Sequence, residues 1–460
     1  MIIPSIDLMG GQAVQLVGGK EKALDAGDPR PIAERFAVAG EIAVVDLDAA
    51  LSKGDNAALI RELCAIAECR VGGGIRDAET ALRWLDAGAT KVVLGTAAVP
   101  EVLAKLPRER TIAALDAIDG EVVIHGWRTR TGRRVEERMR ELREHCGGFL
   151  VTFVESEGRM KGIDLDRVKR VVDAADGVLV TVAGGVTTAE DVAAIDRLGA
   201  EAQVGMALYT GRMALADAIA APLTSDRPDG LWPTIVCDEG GIALGLAYSD
   251  RASLTRAIET RRGVYHSRKR GLWVKGESSG ATQDLIRVEA DCDRDCLRFT
   301  VKQRGPGFCH RDTYTCFGGA RGERALERTL AARRVDAPEG SYTARLFADD
   351  ALLASKIVEE ARELTLARTR TETIAEAADV LYFTMVRLAK DGIELSEVEA
   401  ELDRRGRKVS RRPGDAKPEV YAPATEAYTT EAGSPDVYTT EPDVDTAASG
   451  VGPGGTEKSS

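Results

Sequence analysis

Eight short apolar runs, each followed by a stretch of helical periodicity, fill the first 222 residues. They are Ile2–Asp7, Ile42–Asp48, Cys69–Ile75, Lys91–Thr96, Thr111–Asp116, Gly148–Val154, Gly177–Ala183 and Ala202–Leu208. Strand-like runs alternating with helices require crossover connections, and eight such units in this length predict a closed (β/α)8 barrel. The two halves also repeat. Asp7 and Asp116 end runs one and five, 109 positions apart; Gly74 and Gly185 end runs three and seven, 111 apart; Gly95 and Gly205 end runs four and eight, 110 apart. A constant offset near half the barrel marks a duplicated half-barrel.

The duplication carries a functional expectation, because barrel sites lie at the C-terminal ends of strands. GGGIR (Gly72 to Arg76) with GTAA (Gly95 to Ala98) lies on one side, and AGGV, containing Gly184 and Gly185, with VGMA, containing Gly205, lies on the other. Glycine lets backbone N–H groups approach a phosphate closely. A single glycine more often only shapes a turn; the symmetric set favours a long substrate with a phosphate at each end. Asp7 and Asp116 would then face its middle as an acid–base pair. With IDLMGGQAVQL (Ile6 to Leu16), VVDLDAA, VGGGIR, LGTAAV, LDAIDG followed by HGW (His125 to Trp127), and ALYTGR (Ala207 to Arg212), the barrel resembles the isomerase that converts ProFAR, a bisphosphorylated imidazole carboxamide ribonucleotide, to its ribulosyl form. The resemblance implies an Amadori rearrangement, with Asp7 as general base, Asp116 as general acid, and Thr152 matching the family's strand-six threonine. Three places depart from the family pattern: Ile118 where arginine is usual, Glu157-Gly158-Arg159 where Asp-Gly-Thr is common, and Met206 where lysine or arginine is common.

A second constellation lies between Asp291 and Phe317, DCDRDCLRFTVKQRGPGFCHRDTYTCF. Carboxylate oxygens suit Mg²⁺ and thiolates suit Zn²⁺. In a strand, alternate residues share a face, so Asp291, Asp293 and Asp295 would point one way and Cys292 the other. Three thiolates leave a fourth zinc position open for a water whose pKa falls towards ~7, a hydrolytic arrangement. Reduced core cysteines beside solvated aspartates would give the same spacing, and Cys296 competes with Cys292 as a ligand. The neighbouring residues decide. Asp229-Gly230-Leu231, RRGVYHSRKRGLWVKGESSG (Arg261 to Gly280) and GFCHRDTYTCFG (Gly307 to Gly318) resemble phosphoribosyl-AMP cyclohydrolase. This implies Zn²⁺ on Cys292, Cys309 and Cys316, Mg²⁺ on Asp291, Asp293 and Asp295, and opening of the adenine ring between N1 and C6. His310 is a candidate proton shuttle and His266 a lesser one. Arg268, Lys275, Gly276, Glu277 and Ser278 are candidate substrate-phosphate contacts. The interval Cys292 to Cys309 is one residue longer than in most bacterial members and reads like the fungal multifunctional histidine proteins.

Beyond residue 320 aromatic residues thin out and helical periodicity takes over. Glu359 with Glu363, Glu360 with Glu363, and Glu376 with Asp379 fall on shared helix faces. Clustered acids repel, and Mg²⁺ removes that cost while bridging phosphate oxygens; a solvated acidic face is the plain alternative. SYTARLF (Ser341 to Phe347), KIVEEARE (Lys356 to Glu363) and EAADVLYF (Glu376 to Phe383) resemble phosphoribosyl-ATP pyrophosphohydrolase. That family is all-α and splits the triphosphate with Mg²⁺-assisted water. It implies that Glu359, Glu360, Glu363, Glu376 and Asp379 hold metal or position water.

The chain as a whole bounds these readings. Its 460 residues allow two to four domains, and 44% hydrophobic content supports ordinary cores. A net charge of −12 argues against a nucleic-acid partner, and eight unevenly spaced cysteines do not form a disulfide framework. MIIPSIDLMGG lacks a signal-peptide pattern, and no uncharged apolar run reaches the ~18 residues a membrane helix needs. The expectation is a cytoplasmic, multidomain homodimer acting on small phosphoribosyl nucleotides: residues 1–222 the barrel, 223–320 a small α+β metal-binding domain, 321–410 an all-α domain, 411–460 a disordered tail. The expected activities are hydrolysis of phosphoribosyl-ATP, opening of the phosphoribosyl-AMP ring, and isomerisation of ProFAR. The alternative is a bifunctional hydrolase whose barrel does not catalyse.

Overall fold

In a computed structural model, which describes residues 1–410 apart from Lys20 and Lys161, eight parallel strands close on themselves. They are β1 (Ile2–Met9), β2 (Ile42–Asp46), β3 (Cys69–Gly72), β4 (Lys91–Leu94), β5 (Thr111–Ile118), β6 (Gly148–Phe153), β7 (Leu179–Ala183) and β8 (Glu201–Val204). β1 sits between β8 and β2, with Ile3 opposite Gln203 and Asp7 opposite Val45. β5 pairs β6 with Asp116 opposite Thr152. Crossover helices cover the outside of the ring and side chains fill its inside, so the strands are buried on both faces and read as continuous apolar runs. Ile6, Leu8, Val44, Val71, Val92 and Val151 are all inaccessible to solvent. The helix Ala78–Ala87 shows how local sequence stops and starts these covers: Asp77 caps it by accepting from the Thr80 amide, and Gly88 ends it at φ 115°.

Two sequence expectations about strands change. The eighth run was expected to continue to Leu208, but β8 ends at Val204 and Met206–Tyr209 forms a short helix whose first carbonyl, on Gly205, accepts from the Leu208 amide. The second change is an addition. β1 and β5 are each followed by an antiparallel hairpin excursion: Gln12–Val17 with Glu21–Gly27, and Glu121–Ile124 with Thr129–Arg134. Both begin with a two-residue left-handed turn, Gly10-Gly11 (φ 58° and 76°) and Asp119-Gly120 (φ 53° and 74°). The half-barrel duplication therefore extends into the loops above Asp7 and Asp116.

Residues 232–303 form a four-stranded sheet in the order Ala243–Ser249, Trp232–Cys237, Leu297–Gln303, Gln283–Ala290. Its middle pair is parallel and the outer pairs antiparallel. The helix Arg251–Thr260 and the hairpin Val264–Ser267/Gly271–Val274 cover one face, burying Tyr265 against Phe299 and Trp273. Five helices follow: Gly322–Val335, Tyr342–Ala348, Asp350–Leu366, Arg370–Asp391 and Leu395–Gly406. They enclose a separate small core of Leu330, Leu346, Leu353, Phe383, Met385 and Val386. The end of the last helix returns to the barrel, where Arg110 donates to the Arg407 carbonyl and Asp86 accepts from the Val409 amide. The expected disordered tail, 411–460, lies outside the described residues.

Candidate active sites

At the C-terminal mouth of the barrel, Asp7 lies two residues before the end of β1 and Asp116 two before the end of β5, on opposite sides of the ring. Burial raises the Asp7 carboxyl to about 7. Burial also raises Asp116, while hydrogen bonds from the Trp127 and Thr152 side chains pull it back down. A third carboxyl joins them: Glu157, pushed up to about 7 by burial and by the charges of Asp7 and Asp116. Glu157 appears in the sequence as a departure from a family motif, and only the folded loop after β6 brings it to the pair. Trp127 sits in a run of three left-handed residues, His125, Gly126 and Trp127 (φ 55°, 65° and 67°). Its ring covers Gly19, where a Cβ would lie 2.4 Å from it. The HGW motif marked this residue without disclosing its influence on Asp116.

The symmetric glycines lie just beyond the ends of β3, β4, β7 and β8, and packing gives some of them a reason of its own. Gly74 (φ 70°) presses against the Ala49 backbone and Gly185 (φ 96°) against the Gly162 carbonyl, each leaving no room for a Cβ. Gly95 meets nothing within 4 Å, and a Cβ on Gly205 would strike the Gln15 and Ser5 side chains. On the β7–β8 side a cleft is lined by Ser5, Glu157, Gly184, Gly185, Gly205 and Met206.

In the second domain, Asp291 to Asp295 do not lie in a strand. The strand Gln283–Ala290 ends first, and residues 291–296 turn into Leu297–Gln303. The reason is local. The Asp291 carboxylate accepts from the Asp295 and Cys296 amides, and Arg294 adopts φ 67°. The turn still gathers Asp291, Asp293 and Asp295, whose carboxylate oxygens lie within 4.8 Å of one another. The Asp293 charge, with some burial and Asp291, raises Asp295. Such mutual repulsion among carboxylates is what a hard dication would relieve.

Cys309 and Cys316 lie near enough for each to bear on the other's pKa, with Cys309 held below its usual range by backbone and side-chain donors from Arg311 and Thr313. Cys292 is exposed and does not join them within 4.8 Å among the described residues. His310 places Nδ1 3.9 Å from the Cys309 sulfur. His266 is bound elsewhere, its Nδ1 2.7 Å from Asp250. Lys275 faces inward: it is 6% exposed, donates to the Ala281 carbonyl at 3.0 Å, and lies over the Phe308 ring. Gly276 packs on the Ala281 backbone, while Glu277 and Ser278 are exposed. Arg268 and Arg227 each lie 4.7 Å over the Tyr248 ring.

In the helical domain, Glu360 and Glu363 on one helix meet Glu376 on the next within 4.8 Å. Asp379 lies close enough for Glu360 to raise its pKa, after burial, the largest cause. Glu359 turns outward, half exposed, and pairs with Lys356 at 3.0 Å. Lys356 also lies 2.6 Å from Glu360, a cation at the cluster that spacing of acids alone did not reveal.

Three family models match in order: histidine biosynthesis protein over residues 1–214, phosphoribosyl-AMP cyclohydrolase over 245–318, and phosphoribosyl-ATP pyrophosphohydrolase over 324–406. Among curated relatives, a histidine biosynthesis trifunctional protein of Neurospora crassa is 40% identical over 72% of this chain and 36% of its own length. A histidine biosynthesis bifunctional protein of Schizosaccharomyces pombe is 54% identical over 45% of this chain and 49% of its own. The chain thus spans about half or less of these fungal relatives. A phosphoribosyl imidazole-4-carboxamide isomerase of Methanosphaerula palustris is 38% identical over 233 residues, 98% of its length. The chain belongs to the histidine biosynthesis protein family, with a cyclohydrolase and a pyrophosphohydrolase domain fused behind its barrel.

Proposed function

We propose that the chain performs three consecutive reactions of histidine biosynthesis. The helical domain hydrolyses phosphoribosyl-ATP to phosphoribosyl-AMP and pyrophosphate. The middle domain adds water to phosphoribosyl-AMP and opens the adenine ring to give ProFAR. The barrel isomerises ProFAR by an Amadori rearrangement, Asp7 taking a proton and Asp116 giving one. The observation that carries the reading is the pair of acid clusters, Asp291/Asp293/Asp295 and Glu360/Glu363/Glu376, one in each domain whose chemistry needs a dication. Both are expected to hold Mg²⁺, which would neutralise phosphate charge and polarise the attacked centre. Cys292, Cys309 and Cys316 are expected to hold Zn²⁺, which would activate water. His310 would carry the proton, a role its place beside Cys309 supports.

A homodimer fits the surfaces. Ile235 and Leu246, opposite each other on the second domain's sheet, are 42% and 56% exposed. Val358, Ile374 and Leu381 are exposed on the paired helices of the third. One copy brings together only two of the three candidate zinc thiols, so a second copy would have a reason to supply the third. No described helix is long and apolar enough to cross a membrane, and the cysteines are free thiols, which suits a reducing cytoplasm.

The test is a coupled assay on the purified chain with phosphoribosyl-ATP, Mg²⁺ and Zn²⁺, resolving products by mass. Conversion through to the ribulosyl isomer, lost in Asp7→Asn, supports all three activities. Accumulation that stops at ProFAR leaves a bifunctional hydrolase with a non-catalytic barrel. No consumption of phosphoribosyl-ATP removes the pyrophosphohydrolase activity, and supplying phosphoribosyl-AMP directly then tests the cyclohydrolase.

A further inference from the structure

The acidic hairpin of the middle domain is held from outside that domain. Arg294, at its centre, sends Nε and Nη2 to both carboxylate oxygens of Asp196, at 3.0 and 2.9 Å. Asp196 belongs to the barrel helix Ala189–Arg197, and its side chain is only 10% exposed. Arg294 also donates to the Asp291 carbonyl at 2.7 Å, and its own carbonyl accepts from the Thr224 amide at 2.8 Å. Thr224 lies just after the last barrel helix, Leu215–Ala220. Both ends of one residue are therefore fixed by the preceding part of the chain.

That residue needs fixing. At φ 67°, Arg294 occupies the left-handed region, which costs a non-glycine residue about 1 kcal/mol or more. On either side of it, three carboxylates converge within 4.8 Å. Strain and repulsion both favour opening the turn, and the bidentate Arg294–Asp196 pair opposes them.

We propose that Arg294 is a positioning residue through which the barrel sets the divalent-cation affinity of the cyclohydrolase hairpin. The barrel then contributes to ring opening whether or not it isomerises anything itself. The proposal rests on the reading of Asp291, Asp293 and Asp295 as a dication site.

The experiment uses the full chain with Mn²⁺ as the probe, bound ion being counted by electron paramagnetic resonance. The class of sites that disappears in Asp293→Asn is the hairpin. Asp196→Ala and Arg294→Gly, the latter keeping the turn while losing the clamp, are each expected to weaken that class about tenfold. The double variant is expected to be no weaker than either single one, because the two residues act as one device. Saturating Mg²⁺ is expected to restore ring-opening turnover, and pyrophosphate release by the helical domain to stay unchanged. Unchanged Mn²⁺ affinity in both single variants, or losses that add in the double, would overturn the proposal. Wild-type protein with no Mn²⁺ class sensitive to Asp293→Asn would overturn the dication reading beneath it. Should Asp196→Ala unfold in the assay range, Asp196→Asn, equal in size and uncharged, decides by the same isotherm.

Discussion

Lys356 lies 2.6 Å from Glu360, one helical turn on, and its ammonium also sits over the Phe383 ring at 5.4 Å. The acid cluster of the helical domain therefore carries its own counter-ion. Glu360 is 8% exposed, so the pair is poorly screened, and removing one partner leaves a buried charge. Lys356→Met is expected to destabilise the metal-free domain by roughly 2 kcal/mol. It should also enlarge the gain in melting temperature on adding Mg²⁺, because a dication then relieves repulsion that lysine had relieved before. Thermal melts with and without Mg²⁺ check both halves. A variant whose Mg²⁺ increment stays at the wild-type value would show that Lys356 and metal do not compete for this cluster.

Asp7 and Asp116 support a selective loss of function. General acid–base groups contribute on the order of 10²–10⁴-fold. Asp7→Asn and Asp116→Asn are each expected to lower ProFAR isomerisation by that order, while ring opening and pyrophosphate release continue. Separate assays with each intermediate supply the comparison. Loss of all three activities together would point to unfolding instead.

A second brace reaches the middle domain from its other side. Tyr314, between Cys309 and Cys316, donates to Asp238 at 2.5 Å. Arg328, on the first helix of the third domain, lies 4.5 Å over the Tyr314 ring and donates to the Pro306 carbonyl at 2.6 Å. Arg328→Ala is expected to weaken Zn²⁺ retention several-fold in a chelator competition, with Arg328→Lys recovering part by keeping the cation over the ring. Equal zinc retention in all three proteins would remove the brace from consideration.

The parts legible in sequence are those with short-range signals. The barrel followed from eight periodic runs, and the acid types at 291, 293 and 295 were readable as a cluster. Their geometry was not, because an Asp291 carboxylate that satisfies two amides beats the alternation that would have made a strand. Asp119-Gly120 is a hairpin turn signal in plain view, but of the two excursion strands that follow it Glu121–Ile124 is short and Thr129–Arg134 carries three arginines, so their period is hidden. Glu157 and Asp196 act on residues far away along the chain; a departure from a motif marks the first without its partners, and nothing local marks the second. The separation of Cys292 from Cys309 and Cys316 is likewise a matter of where strands end.

Glu157 makes the pH dependence testable. Its carboxyl and that of Asp7 lie at about 7 in the folded chain, against ordinary values of 4.5 and 3.8. Between roughly pH 4 and 7 the folded barrel keeps protons that the unfolded chain has released. The stability these two groups contribute is therefore fully present below the unfolded values and is lost as pH rises through 7, levelling once both have ionised. Glu157→Gln removes one of the two groups and a charge facing Asp7 and Asp116. It is expected to flatten the slope and to raise stability above pH 7 by about 1–3 kcal/mol. Melting temperatures from pH 5 to 8.5 for both proteins give the comparison. Parallel curves would mean that Glu157 is solvated when folded, and that the carboxyl cluster at the barrel mouth is an acid–base pair with a bystander.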